Sequence, residues 1–152
     1  MGLVIALNKG RIFKECLPLL AACQIQPSED PDRSRKLIFD SVSGGHKLIV
    51  TRSADVPTYV ENGVADIGIT GKDTILEYGE SMSFYERLDL KIGQCKMMTA
   101  GPVGVAEPEH VLRVASKFVN ITRKYYQAQS RQVSLIKLSG AMEIAPLLGL
   151  AD

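Results

Sequence analysis

From Val64 to Thr70 apolar and polar positions alternate. Ala65, Ile67 and Ile69 fall on one side and Asp66, Gly68 and Thr70 on the other, the period of two that predicts a buried strand. Gly71 permits a tight turn, and Lys72 and Asp73 stand at the mouth of a helix over Thr74 to Tyr78. The same alternation of strand and helix runs along the chain. Leu3 to Leu7 is a short apolar strand, and Asn8 to Arg11 turn into a helix reaching about Cys23. Its apolar face is Ile12, Cys16, Leu19, Leu20 and Cys23. Pro18 lacks an N–H and clashes one turn back, which predicts a kink or an earlier helix end. Lys36 to Phe39 and Lys47 to Arg52 are strands joined through Ser43, Gly44 and Gly45 as a hairpin. Ser53 to Asn62 is a helix, started near Ser53 or Asp55 and stopped by Gly63.

Beyond the opening stretch, Leu88 to Ala100 suggests a strand or two crossing between halves. The remaining expected elements are a strand at Val111 to Ala115, a helix from Asn120 or Thr122 to Gln129, a strand at Val133 to Leu138 and a helix over Ala141 to Leu148. Strands and helices in alternation, with one hairpin inserted, predict an α/β fold with mostly parallel sheets in two lobes. The lobes are expected over residues 1–92 and 93–152.

Composition narrows the function classes. With 18 Lys+Arg against 17 Asp+Glu there is no far field to draw in nucleic acid or an acidic membrane, although cations can still be concentrated locally. No run of about 20 apolar residues occurs, and the amino-terminal charges follow the apolar run, the reverse of a signal peptide. The expectation is a soluble, cytoplasmic protein. Cys16, Cys23 and Cys95 have neither C-x-x-C nor histidine spacing and are expected as buried thiols, with no metal ligand among them. His46 and His110 are expected on the surface, and Met97, Met98 and Met142 as core filler.

Ligands in open α/β sheets sit at the carboxyl ends of strands. Lys9, Gly10 and Arg11 follow the first strand, and Thr70, Gly71, Lys72 and Asp73 follow the strand of the opening stretch, where free N–H groups and a helix dipole favour phosphate. Four segments in order, LNKGR (Leu7 to Arg11), SRKLIF (Ser34 to Phe39), DVPTYVENGVADIGITGKD (Asp55 to Asp73) and KLSGAMEIAPLLGLAD (Lys137 to Asp152), resemble the short form of ATP phosphoribosyltransferase. The resemblance covers nearly the whole chain.

It implies a two-lobed fold similar to type II periplasmic binding proteins, with the active site in a cleft between lobes. The implied reaction joins adenine N1 of ATP to C1 of 5-phosphoribosyl 1-diphosphate and releases diphosphate, the first step of histidine biosynthesis. Such a reaction needs fixed cations near the leaving group and a metal, usually Mg²⁺. Arg35 is the implied stabiliser of the departing diphosphate, with Arg11 beside it as a catalytic residue. Lys9, Gly10 and Arg11 contact the nucleotide side, Arg52 lines the cleft, Thr70, Gly71 and Asp73 serve the nucleotide, and Glu143 takes ribose hydroxyls. The resemblance also implies a regulatory partner similar to histidyl-tRNA synthetase and a homodimer within a hetero-oligomer, with no nucleic acid or membrane partner.

The family pattern continues beyond LGLAD into a strand and a loop of the type D-I-V-x-T-G-x-T-L that cradles the 5-phosphate of the sugar substrate. This sequence stops at Asp152, before that loop, so the second lobe is expected to be incomplete. The reading from a different class is a non-catalytic anion- or nucleotide-binding module of the same architecture.

Overall fold

A computed structural model describes residues 2–79, 82–106 and 108–152. The chain divides into two compact units, residues 1–95 and 96–152. The first is built on a four-stranded sheet in the order β2-β3-β1-β4. β1 (Val4–Asn8) lies in its interior, parallel to both β3 (Lys47–Thr51) and β4 (Ile67–Ile69), while β2 (Ile38–Asp40) runs antiparallel to β3. Ile5, Ala6 and Leu7 are buried in succession because a central parallel strand is covered on both faces. One face packs Phe13, Cys16, Leu20, Phe39, Leu48 and Val50, and the other packs Ala6 with Val56 and Ala65. Burying a side chain such as Phe39 is worth about 1.5–3 kcal/mol.

Three helices flank the sheet: α1 (Arg11–Ala22), α2 (Val56–Glu61) behind a 3₁₀ turn at Ser53–Asp55, and α3 (Lys72–Tyr78). The expected hairpin between β2 and β3 is present, with Phe39 opposite Leu48. In the second unit β5 (Leu112–Ser116) and β6 (Val133–Lys137) pair in parallel around α4 (Val119–Ala128). Both units are therefore α/β, and parallel pairing predominates as expected. No helix among the described residues is long and apolar enough to cross a membrane.

Several expectations are corrected. α1 runs through Pro18 to Ala22, so the helix does not end early; its buried Phe13, Cys16 and Leu20 hold the last turn against the lost hydrogen bond. The buried face of α1 is therefore centred on Phe13, Cys16 and Leu20, and Leu19 and Cys23 are exposed. Cys95 is exposed too. β4 is shorter than the alternation suggested and lies at the sheet edge, pairing only with β1, which leaves Ile67 exposed. Leu88 to Ala100 forms no strand, because no neighbouring strand is there to pair with it. Leu90 and Ile92 pack on the first core, whereas Met97 and Met98 are exposed. The last expected helix is only a 3₁₀ turn, Met142–Ile144. Ala141 enters it in the left-handed region (φ 55°) and Pro146 has no N–H to extend it. His46 is half-buried and its Nδ1 accepts the Leu3 N–H at 3.0 Å.

Candidate active site

Strand register decides which residues meet. Asn8 of β1 lies opposite Thr51 of β3, and Leu7 opposite Ile69 of β4, so three parallel strands finish level. The Lys9 N–H donates to the Thr51 carbonyl at 3.1 Å and extends the ladder by one step. Everything that follows these strands therefore gathers at one carboxyl edge: Lys9, Gly10 and Arg11 after β1, Arg52 after β3, and Thr70, Gly71, Lys72 and Asp73 after β4. Gly10 makes the turn from β1 to α1 at φ 116°, a conformation that L side chains rarely adopt. The Thr70 hydroxyl donates to the Ser53 carbonyl at 3.3 Å and links two of the loops.

Arg35 reaches this edge by the opposite direction of travel. β2 is antiparallel to β3, and the Val50 N–H donates to the Leu37 carbonyl at 2.8 Å. Residues just before β2 are thus carried toward the end of the sheet where β3 finishes. Lys9, Gly10, Arg11, Arg35, Arg52, Thr70, Gly71 and Asp73 are consequently brought together on the first unit. Glu143 is not part of that group. It belongs to the second unit, exposed in the Met142–Ile144 turn.

The electrostatics of this edge are dominated by cations. Among the described residues Lys9, Arg35 and Arg52 are exposed and have no carboxylate partner, whereas Lys72 pairs with Glu86 and Arg11 with Glu15 at 3.6 Å. Asp73 turns its Oδ1 onto the Thr74 N–H at 2.8 Å, which orients the carboxylate within the first turn of α3. Clustered cations without counter-charges favour a polyanion, and guanidinium groups match phosphate oxygens in a fork.

Two polar residues here carry no signal in the linear pattern. The Asn8 Oδ1 is buried without a donor, and its Nδ2 makes only a long 3.4 Å contact with the Lys9 carbonyl. The sole hint was a polar residue closing an apolar strand. Glu15 lies one turn after Arg11, and its Oε2 accepts the Gly93 N–H at 2.8 Å, a partner 78 residues away that only folding reveals.

The strongest titration effect lies elsewhere, in the second unit. Arg113 donates to Asp152 through Nη2 at 2.6 Å and through its backbone N–H at 2.8 Å, holding that carboxyl well below the usual carboxylate range. Burial pushes the Cys16 thiol up. No group of three His, Cys, Asp or Glu side chains that could hold a metal ion by itself occurs among the described residues. Asp73 is one carboxylate at the cationic edge. That suits a hard divalent ion held mainly by substrate phosphates, with a carboxylate beside them.

Comparison with known proteins supports the α/β fold and identifies the family. Residues 52–152 match the family described as HisG: ATP phosphoribosyltransferase. The ATP phosphoribosyltransferase of Ectopseudomonas mendocina is 57% identical over 150 residues, 99% of this chain and 71% of that protein. That of Pseudomonas paraeruginosa is 58% identical over the same shares of each chain. The solved ATP phosphoribosyl transferase (HisG:HisZ) complex from Thermotoga maritima superposes with a TM-score of 0.72 at 29% identity, covering 99% of this chain and 70% of that one. These relatives are longer, the family uses a divalent metal, and its reaction is the first step of histidine biosynthesis. On both sequence and structure the chain belongs to the ATP phosphoribosyltransferase family.

Proposed function

We propose that the carboxyl edge of the first unit is where this chain meets the polyanionic substrates of the family's reaction. The observation that carries this reading is that Lys9, Arg35 and Arg52, without a carboxylate partner among the described residues, lie toward the sheet end where the Gly10 turn begins. In the reaction a bond forms between adenine N1 and C1 of the ribose. The C1–O bond to diphosphate breaks with its electron pair leaving on the diphosphate, and the adenine amino group releases a proton to restore its neutral ring. Negative charge grows on the leaving group while the sugar becomes cation-like.

Arg35 is assigned to the departing diphosphate, where a planar fork stabilises charge that increases in the transition state. Arg11 supports the same charge, and Lys9 with the Gly10 backbone holds the nucleotide phosphates. Arg52 adds a cation, Thr70 and Gly71 offer donors, and Asp73 accepts hydrogen bonds from nucleotide hydroxyls. Holding two reactants in attacking geometry is worth up to about 7–11 kcal/mol of barrier. Mg²⁺, as the divalent ion, neutralises diphosphate charge when bound.

The Thermotoga maritima complex supports a HisZ-type regulatory subunit as the partner. Its likeness to histidyl-tRNA synthetase, a homodimer of this chain within the hetero-oligomer, and the cytoplasm as its place belong to the same proposal. Histidine feedback then acts through that subunit. A type II periplasmic-binding-protein-like architecture is the fold assigned to the whole chain.

Arg35 tests the reading. Arg35→Ala lowers kcat/KM for 5-phosphoribosyl 1-diphosphate by about 100-fold or more, the usual loss for one transition-state donor. Arg35→Lys recovers little, since an ammonium has no fork. Product absorbance with ATP, 5-phosphoribosyl 1-diphosphate and Mg²⁺, with the regulatory subunit present, measures both. Undiminished turnover in Arg35→Ala rejects the assignment.

A further inference from the structure

The side chain of Arg11 does more than face solvent at the start of α1. Its Nη2 donates to the Gly93 carbonyl at 3.1 Å, and its Nε lies 3.6 Å from Glu15. The same Glu15 accepts the Gly93 N–H at 2.8 Å. Both backbone groups of one glycine are thus held by two side chains that also hold each other, one turn apart on α1.

Position 93 is shaped for this clasp. Its backbone has φ 60°, and a Cβ there would come within 2.9 Å of Ile12 Cγ1, so a side chain would push the segment off α1. Just before it Leu90 and Ile92 pack on the first core, and two residues after it the first unit ends. The segment leaving the unit is therefore fastened to the helix that begins at the Lys9–Arg11 turn.

We propose that Glu15 and Gly93 are positioning residues for that turn, and that Arg11 is shared between the Gly93 carbonyl and an incoming phosphate group. The Arg11 side chain is 64% exposed, so its remaining donors are open to a ligand. When an anion draws the guanidinium away, Gly93 keeps its hold on Glu15 through the N–H and loses the donor on its carbonyl. Occupancy of the turn then registers in the segment at residues 90–93. This inference rests on the reading of the carboxyl edge as the substrate site.

Diphosphate is the probe, titrated with Mg²⁺ into the ¹⁵N-labelled chain while the backbone amides of Lys9, Gly10 and Gly93 are followed by NMR. The expected result is a saturable shift of all three with one midpoint. In Glu15→Ala the Lys9 and Gly10 amides still shift, with a midpoint weakened several-fold, and the Gly93 shift changes in size, because Arg11 is then the only one of the two side chains still holding it. Glu15→Gln, which keeps an acceptor for the Gly93 N–H, restores the linked response in part. Shifts at Lys9 and Gly10 with Gly93 silent in the unsubstituted chain overturn the clasp alone. Silence at all three amides overturns the clasp and the substrate-site reading together. A Gly93 response unchanged in Glu15→Ala also overturns the clasp, because the carboxylate is then not its anchor.

Discussion

An arginine that meets one carboxylate through side chain and backbone together makes that carboxylate hard to protonate. Arg113 does this to Asp152, with His110 Nε2 at 3.3 Å adding a further favourable charge when protonated. A carboxyl with a depressed folded pKa contributes stability that is present above its unfolded value, about 3.9, and is lost as pH falls toward the folded one. The second unit therefore loses stability on acidification below about pH 4. Asp152→Asn should lower the neutral-pH melting temperature and flatten that acid limb, as read by thermal unfolding between pH 2 and pH 7. An unchanged acid limb in Asp152→Asn counts against the pair as its source. At this scale the charged positions were legible, since Lys9 and Asp73 follow predicted strands, Arg52 ends one and Arg35 stands in a segment that carries the family resemblance. The partners of Arg11 and Asn8 were not, because each depends on backbone brought from elsewhere or on burial that no spacing encodes.

At the scale of elements, β4 and α2 are pressed together where Gly68 faces the helix. A Cβ at position 68 would meet Val60 Cγ2 at 2.8 Å and Val56 Cγ1 at 2.9 Å, and Val56 is almost wholly buried. Short branched side chains cannot swing aside, so Gly68→Ala should separate α2 from the sheet and cost about 1–3 kcal/mol in urea unfolding. A loss below about 0.5 kcal/mol, the scatter of neutral surface changes, would show the contact to be slack. The opening alternation put Gly68 on the polar side, yet it faces Val56 and Val60 of α2, and the expected buried side was over-read. Ile67 alternates in the sequence as a core residue does, yet β4 has a neighbour on one side only. The missing strands at Leu88 to Ala100 have the same cause: apolar content predicts burial, and pairing requires a partner strand that no local pattern specifies. Helix length at Ala141 to Leu148 failed for a local reason that was visible, Pro146, whose effect was underweighted.

The whole molecule distributes its apolar interior unevenly. Both core clusters, with the largest fully buried side chains Phe39, Ile5, Leu7, Leu48 and Val56, belong to the first unit. Among the described residues of the second unit the buried positions are Thr122, Tyr126, Ala145 and Ala151, and its strand residues Leu112–Ser116 are all only half-buried. Opening free energy follows buried apolar contact, so the two sheets should not open together. Native-state hydrogen exchange is expected to show amides of β1 and β3 at least about 10-fold more protected than those of β5 and β6, a gap of about 1.4 kcal/mol or more. Adding ATP with Mg²⁺ should deepen protection first in residues 9–11 and 70–73, where the proposed site lies, and this separates ligand binding from general stiffening. Equal protection of β5 and β1 without ligand would mean that the second unit draws stability from something other than its own interior. The stability order argued from burial would then be wrong, although the assignment of the cationic edge would stand on its own tests.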